Sequence, residues 1–149
     1  MVEVTRSFTV SATPNAVTDY LKDFSRAVEW DPGTVTCEQT SVGPIAVGTR
    51  WHNVSKIGGM ETELTYELTR LEPGRVVFVG ANDTATSTDD ITITAGDQPD
   101  TSTPTYHASI EFAGAAKLAA PIAKMVFEKL GNDTEDNLVR IFGSPKESH

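Results

Sequence analysis

The stretch from Met60 to Leu71 limits what this chain can fold into more than any other segment. Met60, Thr62, Leu64, Tyr66 and Leu68 fall on one side of an extended backbone, and Glu61, Glu63, Thr65 and Glu67 fall on the other. Strand side chains alternate with a period of two, so this segment has one buried face and one wet face. Such a pattern fits an antiparallel sheet open to water on one side, not a parallel sheet buried on both. Similar segments flank it: Thr34 to Thr40, Thr49 to Ile57, Arg75 to Val79, Ala85 to Ala95, and Thr105 to Phe112. Gly58-Gly59, Pro73-Gly74 and the stretch Gly80 to Asp83 read as the turns between them. Val2, Val4, Phe8 and Val10 mark a first strand whose apolar face is broken by Arg6.

Helical signals lie apart from this run. Thr13-Pro14 combines a good N-cap with a proline suited to the first helical turn. Val17, Tyr20, Leu21 and Phe24 then recur at helical spacing, and Asp31-Pro32-Gly33 stops the segment after two short helices. From about Ala115 to Phe142, Ala119, Ala123, Val126, Leu130, Thr134, Leu138 and Ile141 form one stripe at three- and four-residue spacing. Pro121 either begins this helix or kinks it. Strands in a run with helices set apart predict an α+β domain, and 149 residues predict a single one, residues 1–149.

Composition narrows the function classes. Net charge is −9, from 12 basic and 21 acidic residues, and the basic residues form no run. That field opposes a phosphate backbone and adsorption to anionic lipid, and no apolar run approaches about 18 residues, so neither nucleic acid nor stable membrane insertion is expected. No basic-then-apolar leader precedes the first strand, and the lone Cys37 rules out an intramolecular disulfide, which points to a cytoplasmic protein. No glycine-rich phosphate loop and no metal-ligand spacing are present, so no cofactor and no metal are expected.

Five pieces, in this order, resemble the START-like or SRPBCC superfamily, in its polyketide cyclase/dehydrase-like branch. They are Phe8 to Pro14 running into Val17 to Leu21, Glu29-Trp30-Asp31-Pro32-Gly33, Val47 to Trp51, Leu71 to Arg75, and Thr105 to Gly114 leading into the last helix. The resemblance implies a helix-grip fold: a curved antiparallel sheet of about seven strands wrapped around a long C-terminal helix. It also implies a cavity between sheet and helix, lined by the inward side of each strand. Carried onto this sequence, the lining is Trp51, Asn53, Met60, Thr62, Leu64, Tyr66, Val77, Val79, Ile91, Ile93, Tyr106, Ala108 and Ile110, with Ala123, Val126, Phe127 and Leu130 from the helix. A one-residue slip in Arg75 to Val79 would replace Val77 and Val79 by Val76 and Phe78.

On this reading the protein binds or carries a small hydrophobic molecule (a lipid, a polyketide or an aromatic compound), as a monomer or homodimer. Tyr66, Tyr106 and Asn53 would orient it. The alternative is a cyclase or dehydratase using the same cavity, which needs a general acid or base within reach of the substrate. The inward positions show tyrosines but no clear His, Asp or Glu, which weighs against that alternative. His52 and His107 are expected to face outward, opposite Trp51 and Tyr106. Cys37 reads as a small buried hydrophobe, inward with Val35, and Trp30 as an anchor between the short helices and the sheet.

Overall fold

A computed structural model describes residues 1–57 and 59–144. Gly58 of the expected glycine turn and the terminal His149 lie outside the described residues. The elements run β1 (Val2–Ser7), α1 (Pro14–Leu21), a 3-10 turn (Phe24–Arg26), α2 (Ala27–Trp30), β2 (Thr34–Gln39), β3 (Arg50–Ile57), β4 (Met60–Glu72), β5 (Arg75–Ala81), β6 (Ala85–Ala95), β7 (Ser102–Phe112), a 3-10 segment (Gly114–Ala119) and α3 (Ala120–Phe142). The seven strands form one sheet in the order β1-β7-β6-β5-β4-β3-β2, every neighbour antiparallel. This is the α+β architecture expected from the sequence, with two short helices after β1 and one long helix at the end.

Local chemistry sets the helix boundaries. The Thr13 hydroxyl accepts from the Ala16 N–H and caps α1, with Pro14 at its first position. Pro121 is the second residue of α3, where its missing N–H would have had no helical partner, so it begins the helix and does not kink it. Gly131 sits where α3 crosses β1. A Cβ there would lie 2.7 Å from Val4 Cγ2, so the cost of glycine in mid-helix is offset by the close approach it permits. Arg6, the break in the apolar face of β1, ties the same crossing together. Its Nη2 donates to Glu128 Oε2 at 2.9 Å and its Nε to Asn132 Oδ1 at 3.0 Å.

The packed core occupies one half of the inner sheet face. Phe24 is its hub, with ring centroids 4.4 Å from Phe78, 4.5 Å from Tyr66 and 6.0 Å from both Trp30 and Trp51. Trp30 is fully buried and also meets Tyr106 edge-on at 6.0 Å, which is the anchoring role read from the sequence. Two inward assignments change. In β5, Phe78 pairs with Leu68 and Val79 with Glu67, and cross-strand partners share a side. Val76 and Phe78 are therefore the buried pair, while Val77 and Val79 are half-buried on the outer face. In β2 a bulge between Thr34 and Thr36 turns Val35 outward, so that of the two only Cys37 stays on the inner side.

Candidate functional site

Between the inner sheet face and α3 lies a cavity of about 340 Å³, within the range of small-molecule sites. Its walls are mostly apolar: Val4, Leu64, Ala108, Ile110 and Phe112 from the sheet, and Ala123, Val126, Phe127 and Leu130 from α3. The strand register gives its direction. Inner-face rows run Leu68–Phe78–Asp89–Ala108–Val4 and, one step toward the β3–β4 turn, Tyr66–Gly80–Ser87–Ile110–Val2. The aromatic core closes the cavity near Asp89 and Tyr106. At the other end, Met60, Glu61, Asn82, Thr84 and Ile122 are exposed and form the mouth.

Eleven of the seventeen residues expected to line a cavity do so: Met60, Thr62, Leu64, Tyr66, Tyr106, Ala108, Ile110, Ala123, Val126, Phe127 and Leu130. The other six do other work. Trp51 is fully buried edge-on to Phe24 and Phe78. Asn53 is fully buried in a polar chain: its Nδ2 donates to Thr34 Oγ1 at 3.1 Å, and its Oδ1 accepts from Ser55 Oγ at 2.5 Å. Ile91 and Ile93 pack in the core on the strand that α1 covers. Val77 and Val79 face outward, as described above. His52 and His107 lie on the outer face beside Glu63 and Glu3, as the alternation indicates.

The sequence reading missed the acids. Asp89 is 4% exposed and lines the cavity, and its Oδ1 accepts from the Tyr106 hydroxyl at 3.0 Å. Burial pushes its carboxyl up to about 7, helped by the field of Asp31 and opposed by the Tyr106 hydrogen bond. Asp31, half-buried at the end of α2, also lines the cavity. Burial raises its carboxyl too, against the bonds it accepts from the Thr34 hydroxyl at 2.9 Å and the Gly33 N–H at 3.1 Å. The cavity therefore does carry acids, Asp89 from the inner sheet face and Asp31 from the end of α2, contrary to the expectation of no clear inward Asp or Glu. The signal was present, because Asp89 shares the parity of Ile91 and Ile93 in β6. Both tyrosine hydroxyls are held well above their usual range, first by burial and then by the field of Asp89, so both stay neutral donors. Gly80 makes room for Tyr66. It belongs to β5 and not to the turn, and a Cβ there would lie 2.5 Å from the Tyr66 ring.

A seven-stranded antiparallel sheet gripping one long helix, with a cavity between them, defines the helix-grip class of α+β proteins. Residues 1–142 match the family described as polyketide cyclase/dehydrase and lipid transport, and the chain belongs to that family. Among solved structures, a START superfamily protein from Mycobacterium smegmatis superposes with a TM-score of 0.77 at 13% identity, covering 94% of this chain and 96% of that one. The Zhui aromatase/cyclase from Streptomyces sp. R1128 superposes with a TM-score of 0.72 at 14% identity, covering 93% and 94%. A protein from Thermobifida fusca does so at 0.61 and 19% identity, covering 99% and 100%. At these identities the likeness is one of fold. No curated protein matches the sequence. Among the described residues, no helix is long and apolar enough to cross a membrane.

Proposed function

We propose that the cavity binds a small, mainly apolar molecule with one polar group, the polar group held at the Asp89–Tyr106 end. The observation that carries this reading is the cavity itself: about 340 Å³ of apolar wall ending on a buried, hydrogen-bonded acid. Apolar burial would supply most of the affinity, roughly 0.8 kcal/mol per methylene removed from water, and the buried polar pair would supply orientation. Membership of a family that includes lipid transport supports the same reading.

A second reading rests on one observation. A carboxyl held at about 7 beside a neutral phenol is suited to give and take protons near neutral pH, as a cyclase or dehydratase would require. In that case Asp89 is the acid–base group and Tyr106 its hydrogen-bond donor. Native mass spectrometry of protein purified from its own host, followed by solvent extraction, tests the binding reading. An apolar adduct that disappears in Ala108→Trp, which fills the cavity beside Asp89, is the expected result. An adduct-free mass in both proteins, with no uptake of added apolar compounds, overturns it.

A further inference from the structure

Accepting that the cavity binds a small apolar molecule, we infer that its preferred ligand carries a positively charged nitrogen, an amine at one end of an apolar body, and that Asp89 is the residue that selects it. Among the described residues, three carboxylates line the cavity, those of Asp31, Glu61 and Asp89, and none of the lining residues is Lys, Arg or His. Asp89 spends one oxygen on Tyr106, and its other oxygen has no protein donor among the described residues. The Tyr66 and Ser87 hydroxyls line the same region.

Arg6 pairs with Tyr106 in register but turns its guanidinium to Glu128 and Asn132 on α3, and it does not line the cavity. The α3 lining residues Ile122, Ala123, Val126, Phe127, Leu130 and Gly131 carry no charge. A buried carboxylate without a cation is costly, and a bound ammonium would remove that cost while donating to the free oxygen. The same site repels a fatty-acid carboxylate. An alcohol lies between the two, able to hydrogen-bond but not to neutralise. The net charge of −9 adds a long-range field that favours approach of a cation.

Binding should also track the ionisation of Asp89. The groups facing it are Asp31 from the loop after α2, Tyr66 from β4 and Tyr106 from β7, and both phenols stay neutral. With the free carboxyl at about 7, the ionised fraction rises about tenfold between pH 6 and pH 8. Amine affinity rises by about the same factor, and binding near pH 7 releases part of a proton.

The test is isothermal titration calorimetry of the full chain with decylamine, decan-1-ol and decanoate at pH 6 and pH 8. Buffers of different ionisation enthalpy report the proton. The expected result is decylamine at least tenfold tighter than the alcohol at pH 8, decanoate weakest, and proton release for the amine alone. Asp89→Asn, which keeps an oxygen to accept from Tyr106, should bring amine and alcohol together and remove the pH dependence. If that variant does not fold, the pH dependence of the amine–alcohol difference in the native chain decides. Alcohol binding as tightly as amine at both pH values overturns this inference and leaves the apolar-ligand reading standing. No heat from any of the three overturns both.

Discussion

Asp89 should make the native protein less stable than it needs to be, and Asp89→Asn is the perturbation that measures it. Burial raises the carboxyl from 3.8 to about 7 in the folded chain. Between these values the native state holds a proton that the unfolded chain has already released. The stability this group contributes is therefore complete below about pH 4, falls as pH rises through the window, and is gone above about 7. The full displacement corresponds to ~4 kcal/mol. Asparagine has no such titration but still buries an amide, which costs roughly 1–3 kcal/mol if its N–H groups find no partner. The net gain of Asp89→Asn at pH 8 is therefore about 1–3 kcal/mol, or about 2–12 °C in Tm for a domain of this size. At pH 4 the gain should vanish or reverse. Asp31 moves in the same direction, so the wild-type profile alone mixes both groups, while the difference between variant and wild type isolates Asp89. Calorimetric melts of both proteins from pH 4 to pH 8 provide the assay. A difference that stays flat over that range, or a variant that loses stability relative to wild type as pH rises, refutes the buried-acid argument.

Two further outcomes follow from the same packing. Gly80→Ala would place a Cβ 2.5 Å from the buried Tyr66 ring, and overpacking of this kind costs roughly 1–3 kcal/mol. A lower melting temperature with an altered near-ultraviolet tyrosine signal is expected, and an unchanged melt would show that the ring relaxes freely into the cavity. Cys37 is buried, and burial pushes its thiol up to about 12 despite the Asn53 hydrogen bond, so almost no thiolate exists at pH 8. Ellman's reagent should label it only in denaturant, and rapid labelling of the folded chain would contradict that placement.

The fold was legible because its signals are periodic and mutually consistent. The alternation of Met60 to Leu68 survives intact in β4, and the stripe from Ala123 to Leu138 follows the buried side of α3. The errors cluster where one residue of register matters. The bulge at Thr34–Thr36 breaks an alternation that reads as intact in the sequence, and the run Val76 to Val79 in β5, all hydrophobic, has no polar face to fix parity. Position on the inner face also did not tell wall from core. Trp51 and Ile91 point inward as expected, yet they lie beneath the short helices and are packed solid. Asp89 was overlooked for a different reason. It stands beside Asp90, an acidic pair that reads as solvated, although strict alternation sends one acid in and one out. Asp90 is the outward one and pairs with Arg75 at 2.8 Å.

The division of the inner sheet face explains how one small domain can keep an open cavity containing a buried acid. Phe24, Trp30, Trp51 and Phe78 come from the short-helix region and from β3 and β5, and they pack one end of the sheet tightly. Aromatic side chains bury large areas per residue, so this end supplies a large share of the packed core. The other end is then free to carry small or polar inner residues, such as Thr62, Ser87, Ala108 and Ala123, which leave space that larger side chains would fill. Asp89 and Tyr106 stand at the boundary. Trp30 braces the Tyr106 ring, and the Tyr106 hydroxyl fixes one Asp89 oxygen while leaving the other toward the cavity. Orientation of the acid is therefore set by the rigid half of the domain, and its ionisation by whatever occupies the open half. That arrangement links occupancy to stability: a ligand that favours the charged carboxylate relieves the destabilisation Asp89 imposes above pH 7, and one that does not leaves it in place.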